Sequence, residues 1–583
     1  MSKRRKRRSR PAAPQPAAPE PVVEPEITPA DFAGAAWNFA FLPEAETEIV
    51  DEPALHGLIK QWRHGRATRT IGQALSDAYF AIFSVVLLGA MVTNAIIGSQ
   101  HAVGPCATDA CLAGRGLVSW GVLLSGCALT ASVARLFGPV LASAAEGFWL
   151  LDAPLRRAPL LRPRLRAVIV GAAVAGALLG AVIAALGGDP WPQVAAWAAA
   201  TGASAAAVMA WGAVEQSFDR ARSVAVAQAV FSLGAVVVLG LMVVGSTSDW
   251  LAVPATAWLV AAPWLVAGLA AVFALVLGVT ASRRLELFVR ARLTSGGTLV
   301  SGMQGAMFGL DFGLARDILV EREAATRGHV RPTRGIGLGP SALVWRDAQR
   351  LLRFPRPMVA VIGAALVPYL SNALGLGVIT PLLGGIALFI ALIPTFGSLR
   401  VLTRTAGLAR ALPFSTRQIR LATAVVPAVF ALLWSVVAAP AFSGVLGGVQ
   451  RDLFEATLTS LAVGIAGLIG AMRWQTARPV NFQTPMMATE TGAVPPTLIF
   501  NVVRGFDMVG LITAPLLLGL DPIWALGLAA LVFALLTSGM NTADMAEEAQ
   551  EQRKQLEAER AQARGAGASP GQRRKVPPPR RRP

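Results

Sequence analysis

Arg504 and Asp507 stand three residues apart inside an apolar stretch, a spacing that puts both on one helical face. A charge in low dielectric needs such a partner, so the chemistry these two offer is an intramembrane ion pair. Cys106 and Cys111, with four residues between them in a loop assigned outside, could close a small disulfide, and Cys127 stands apart. No histidine stands beside the pair, and His56, His64, His101 and His329 show no ligand spacing, so no metal is expected. A phosphate-cradling loop needs Gly-x4-Gly-Lys-Ser/Thr, yet none of the five lysines follows a glycine. The sequence also lacks a nucleophile elbow, a zincin helix and a paired-carboxylate loop. These absences predict no catalytic residue and no cofactor, a chain that is not an enzyme.

What remains are two basic turns. One runs Leu150-Leu-Asp-Ala-Pro154-Leu-Arg156-Arg157-Ala-Pro-Leu-Leu-Arg162. The other runs Leu408-Ala-Arg-Ala-Leu-Pro413-Phe-Ser415-Thr-Arg417-Gln-Ile-Arg420. Placed Pro on Pro, at an offset of 259 residues, each shows a small or apolar lead, an apolar residue after the proline, a polar and basic stretch, and then an apolar segment.

Those segments must be membrane spans. The 583 residues are 54% hydrophobic and only 15% charged, with a positive mean hydropathy, where soluble chains run near a quarter charged. The apolar residues fall in blocks of roughly twenty, the length that carries a helix across about 30 Å of hydrocarbon. Spans are expected at Tyr79 to Ile97, Leu117 to Leu141, Ala167 to Leu186, Gln193 to Ala213, Val224 to Val244 and Val253 to Ala281. Six more are expected at Met358 to Leu374, Ile379 to Leu399, Leu421 to Pro440, Leu453 to Met472, Pro496 to Leu518 and Ile523 to Met540. The fold class is therefore all-α, a polytopic transmembrane bundle of about twelve spans. Offsets of 279 residues between the first and seventh spans and 270 between the sixth and twelfth point to two six-helix repeats.

Positive charge tests that layout independently, because Lys and Arg resist translocation. Of 52 basic residues, 48 fall on the side assigned inside and only Arg115 and Arg451 on outside loops. This places both termini in the cytoplasm and the chain in the cytoplasmic membrane. The net charge of +18 thus serves topology, and no basic soluble domain with interleaved aromatics exists to bind nucleic acid. The regions are 1–77, a basic and largely disordered N-terminal region; 78–282, the first half; 283–357, a cytoplasmic linker; 358–540, the second half; and 541–583, a charged tail. Within the linker, 294–315 is expected as surface-associated structure. Ahead of the seventh span, Val344, Ala348 and Leu351 share one helical face and Arg346, Arg350 and Arg353 another, the pattern of an interfacial helix whose arginines meet lipid phosphates.

The paired turns and the layout resemble the type-2 ABC exporter permeases, in particular variants that fuse two six-span halves. In that family a Leu-Pro-x-Ser/Thr-Arg segment between the second and third spans forms a short coupling helix against the ATPase. Leu412, Pro413, Ser415, Thr416 and Arg417 match it, while Ala153-Pro154-Leu155-Arg156-Arg157 departs from it. The resemblance implies coupling turns at Pro154, Arg156, Arg157 and at Pro413, Ser415, Arg417, Arg420, and a separate ATPase subunit as partner. Two alternatives stand beside it: a secondary carrier with two six-helix halves, though the Gly-x3-Asp-Arg-x-Gly-Arg-Arg type of loop is missing, and a non-transporting membrane scaffold. Oligomeric state, substrate and direction are left open by the sequence.

Overall fold

The computed structural model describes residues 71–102, 109–151, 156–246, 257–308, 312–327, 334–444, 448–477, 487–489, 492–494 and 503–537, besides the single positions 57 and 61. Most of the expected N-terminal region, the charged tail, Cys106 and Pro154 lie outside these residues, as does the side chain of Cys111. The chain divides into two compact units, Met1–Ala74 and Leu75–Pro583, and the helices below belong to the second apart from the first residues of α1.

The first bundle comprises α1 (Ile71–Ala102), α2 (Asp109–Phe137), α3 (Ala144–Trp149), α4 (Arg157–Leu186), α5 (Trp191–Ser217), α6 (Ala221–Ser246) and α7 (Ala257–Arg283). Two linker helices follow, α8 (Arg290–Phe308) and α9 (Phe312–Arg327). The second bundle comprises α10 (Ser341–Arg353), α11 (Arg356–Ala365), α12 (Val367–Ala373), α13 (Thr380–Leu392), α14 (Gly397–Arg404), α15 (Ala406–Ala411), α16 (Thr416–Phe442), α17 (Leu453–Gln475), α18 (Phe506–Leu517) and α19 (Pro522–Thr537). Between α17 and α18, β1 (Met487–Thr489) pairs antiparallel with β2 (Gly492–Val494).

Among the described residues, eight helical stretches are long and apolar enough to cross a bilayer, and a ninth is reached if α10 and α11–α12, bent by 84°, count as one span. Apart from the short β1–β2 pair, the regular elements are helical, and the protein is a multi-pass membrane protein. The expected seventh, eighth and eleventh spans depart from straight rods for identifiable reasons. Pro368 has no N–H to return to the preceding turn, and the helix breaks between α11 and α12. Pro394 does the same after α13, where Ile393–Phe396 tighten into a 3-10 turn. Before α18, Gly505 sits at φ +90°, a conformation that no helix passes through, so α18 begins only at Phe506. Its twelve residues cover about 18 Å at 1.5 Å each.

Packing follows small residues rather than bulk. In the first bundle α2 packs on α4, α5 and α6, α4 packs on α5, and α5 packs on α7. In the second, α13 packs on α16, α17 and α18, α16 on α17, and α17 on α19. α4 and α5 approach over Gly176, Gly180 and Gly202: a Cβ at Gly180 would stand 2.6 Å from the Trp197 carbonyl oxygen. α16 and α17 are joined by two serines, Ser435 donating to the Ser460 carbonyl at 3.1 Å and Ser460 to the Ser435 carbonyl at 2.6 Å. Large apolar side chains point outward instead, among them Leu233, Leu269 and Leu275, as a lipid-facing surface requires. The bundles meet through Val118, Val122, Leu186 and Met242 against Tyr369, Ala373, Leu374 and Ala441.

The linker is folded. α8 and α9 pack on each other, and α8 lies against α2 and α3, with Leu293 and Leu299 buried. α8 is not among the helices apolar enough to count as a span.

The glycine seam sets the first prediction. Gly180→Val should lower stability by about 1–3 kcal/mol through overpacking, read as thermal unfolding in detergent. Gly171→Val, on the same helix with nothing within 4 Å of the added Cβ, should leave it near wild type. Equal losses would mean that the seam is not a close contact.

Candidate functional site

After α13 the helix tightens into the 3-10 turn Ile393–Phe396, whose main-chain oxygens also receive side-chain donors. Three of them are taken by side chains from other elements. Arg316 of α9 donates to the Ile393 carbonyl at 3.2 Å, and Gln475 at the end of α17 donates to the same oxygen at 2.6 Å. Arg350 of α10 donates to Pro394 at 3.3 Å and Thr395 at 2.6 Å. Gly397 follows because any side chain there would collide with the Arg350 guanidinium. One residue further on, Ser398 donates to Asp347 of α10, a carboxylate with no exposed surface that also faces Arg350 at 3.8 Å. Burial pushes the Asp347 carboxyl above its usual range, against the pull of Ser398 and Arg350.

Arg400 then grips Asp317 of α9 with both arms, at 2.6 and 2.5 Å, and the Gly313 carbonyl at 3.0 Å. Arg404 adds a longer contact to Asp317 at 3.7 Å. Arg316 nearby is brought down to about 10, by burial first and then by Arg400. Linker helix, interfacial helix, broken span and the end of α17 are thereby tied in one polar cluster. The expectation that Arg350 lies at lipid phosphates is corrected: it reaches inward to the carbonyls of the break.

This cluster holds the segment that carries the second basic turn. After α15 the chain passes Leu412, Pro413 and Phe414 to Ser415, which caps α16: its hydroxyl accepts from the Gln418 N–H at 3.2 Å, and the Gln418 side chain accepts from the Ser415 N–H at 2.9 Å. Pro413, Ser415 and Arg417 are exposed. Arg420 is not: it is buried, with Nη1 donating to the Leu536 carbonyl at 2.7 Å, because one turn further along α16 faces the bundle. Arg420 therefore leaves the set of surface candidates.

The first turn is built differently. Glu286 caps α4 from outside, accepting from the N–H groups of Arg157 and Ala158 at 3.1 and 2.9 Å. The Arg157 guanidinium donates to Phe288 and Leu151 carbonyls, whereas Arg156 is exposed. Beside it Glu146 closes a capping box with Ser143 and pairs with Arg164 at 2.9 and 2.5 Å. Arg164 above all, then Ser143, holds the Glu146 carboxyl down at about 2.

Asp507 lies in the first turn of α18, accepts from the N–H groups of Gly505 and Met508, and is gripped by Arg473 from the last turn of α17 at 3.0 and 2.7 Å. The Asp507–Arg473 pair joins two helix ends at their favourable dipole poles, and Arg504 stands in the turn just ahead of α18. Sequence reasoning missed Asp317, Asp347, Ser398 and Gln475. A proline inside an apolar run, Pro394, was the available signal that carbonyls nearby would need donors.

A family model described as a family of unknown function, DUF6297, matches residues 111–485, which take in both basic turns and the whole cluster around the break. No curated protein and no solved structure matches the chain.

Two outcomes follow from the geometry. Arg350→Met removes the guanidinium that donates to the Pro394 and Thr395 carbonyls and should cost about 1–3 kcal/mol in detergent unfolding; an unchanged midpoint would show that these hydrogen bonds add nothing to stability. Glu146, whose folded pKa is depressed from the ordinary value of about 4.3, contributes stability above that value and loses it as pH falls toward about 2. The stability gap between wild type and Glu146→Gln should be widest at neutral pH and close through that window, and a pH-independent gap would exclude the ion pair as its source.

Proposed function

The chain belongs to that family, and from its geometry we propose that it is the membrane-spanning permease subunit of an ABC-type exporter, made of two fused six-span halves and driven by a separate ATPase subunit. The observation that carries this reading is the exposed turn Pro413 to Arg417, presented by a capped helix and backed by the polar cluster of the α13 break. A docking turn must be both accessible and stiff, since a soft one would absorb the push it is meant to transmit.

Two further observations support it. The pairings of the first bundle, α2 with α4, α5 and α6, α4 with α5, and α5 with α7, recur as α13 with α16, α17 and α18, α16 with α17, and α17 with α19. Matching them in order makes α4 and α16 equivalent, the two helices that follow the basic turns. α16 also reaches from that turn to the contact between bundles, where Tyr369 donates to Val437 and Asn372 to Ala441. Movement imposed at Pro413 to Arg417 thus has a continuous helix along which to reach the seam between halves, as alternating access needs. With fourteen basic residues on the short loops at this end against two opposite, the turn faces the cytoplasm and the chain sits in the cytoplasmic membrane.

A proton-coupled carrier has one observation in its favour, the fully buried Asp347. The two readings separate on a partner. Affinity purification of the wild-type chain under mild detergent should recover a nucleotide-binding subunit, and Arg417→Glu should reduce that recovery several-fold by replacing attraction with repulsion at the rim. Expression should be unaffected, because Arg417 is exposed. If the wild type brings down no ATPase, the carrier and scaffold readings move ahead.

A further inference from the structure

At the basic end, the linker helices and the first bundle enclose a small cavity of about 30 Å³. Four arginines line it, one from each of four places: Arg135 in the last turn of α2, Arg220 before α6, Arg292 in the first turn of α8, and Arg322 on α9. Glu215, Gln216 and Ser295 complete its polar wall, and the Gln216 side chain is engaged by the Val140 main chain. The space corresponds to roughly two waters at 10–15 Å³ each, too small for a nucleoside and suited to one tetrahedral oxyanion.

The charges do not balance. Arg292 is paired with Asp219 at 2.5 Å, and Glu215 accepts from Ser223. Four arginines therefore face two carboxylates, a local excess of two positive charges. Arg322 donates through one arm to the Ser295 carbonyl, and Arg220 lies over the Phe218 ring at 4.9 Å. Arg135 has a buried Nε without a hydrogen-bond partner. Burial and the neighbouring Arg292 together lower the Arg322 pKa. Like charges gathered in a partly dry space repel one another unless an anion joins them. The turn that brings Arg220 here contains Asp219 at φ +57°, the one left-handed non-glycine among the described residues, held by its pair with Arg292.

We propose that this cavity binds a phosphate-bearing anion, and that the bound anion fastens α8 and α9 to the first bundle. Arginine forks match phosphate oxygens in pairs, and α6 starts at Ala221 on the cavity wall, so the positive end of its dipole lies beside them. The site lies where the bundle gives way to its basic end, so the phosphate comes either from an anionic phospholipid headgroup or from solution. Neither source depends on an ATPase partner, and the inference stands apart from the permease reading.

The test uses the full chain, delipidated in maltoside detergent. Radiolabelled inorganic phosphate is offered by equilibrium dialysis at constant ionic strength, and phosphatidylglycerol or phosphatidylcholine in mixed micelles, with retained lipid counted by phosphorus analysis. Saturable binding of inorganic phosphate identifies a free anion; binding of phosphatidylglycerol without inorganic phosphate or phosphatidylcholine identifies a headgroup. Arg135→Gln and Arg322→Gln should each weaken whichever binding occurs about tenfold, the worth of one charge-assisted hydrogen bond, and Arg156→Gln, at an exposed arginine away from the cavity, should stay within twofold. Should Arg135→Gln fail to fold, Arg135→Lys takes its place and should weaken binding severalfold, because the charge remains and the fork is lost. Hydrogen exchange across 290–327 should slow when the probe binds. The proposal is overturned if the wild type binds none of the probes, if phosphatidylcholine binds as well as phosphatidylglycerol, if the cavity variants bind within twofold of wild type, or if exchange in 290–327 does not respond.

Discussion

A helix that breaks inside a membrane protein leaves carbonyl oxygens with nothing to accept from, and each costs several kcal/mol in a dry environment. At the basic end the turn after α13 is where such groups gather, and the carbonyls of Ile393, Pro394 and Thr395 each receive a side-chain donor. Those donors, Arg316, Arg350 and Gln475, come from the linker, the interfacial helix and the end of α17. None of these belongs to the helix that carries the turn, so their bonds draw three otherwise separate elements to one point. Once Arg350 and Arg316 are committed, Asp347 and Asp317 are needed to offset their charge, and Ser398 and Arg400 fall into register one helical turn beyond the break.

The rest of the packing obeys a different constraint. Lipid offers no hydrophobic drive between helices, so contact depends on close approach and on hydroxyls that can bond across the seam. The α4–α5 seam uses glycines, and the α16–α17 seam uses Ser435 and Ser460 with Gly464. The two seams thus meet by different chemistry. Glu286 and Ser415 show the same divergence: both cap the helix after a basic turn, one from a distant segment and one from the preceding residue.

Hydropathy and charge asymmetry were enough to read an all-helical membrane chain, to place helices at the expected positions, and to find the turn Pro413 to Arg417 that the structure leaves exposed. They rest on local composition, and a block of twenty apolar residues or a run of arginines carries its meaning without reference to partners. The number of full spans did not follow, because whether Pro368 and Gly505 bend or end a helix depends on what stands ready to receive the freed backbone groups.

Partner choice was beyond reach of the sequence for the same reason. Arg420 and Arg417 look alike in a basic turn, yet a rotation of three residues sends one to the Leu536 carbonyl and leaves the other outside. Asp507 finds Arg473 thirty-four residues away, and Arg135, Arg220, Arg292 and Arg322 surround one cavity from positions spread over nearly two hundred residues. The sequence assigned Arg220, Arg292, Arg322 and Arg473 to one side, since basic residues resist crossing the membrane, but it set Arg135 and Asp507 within expected spans. Only the tertiary structure decided which of them face a carboxylate, a carbonyl or each other, because that depends on distances between helices that no local pattern encodes.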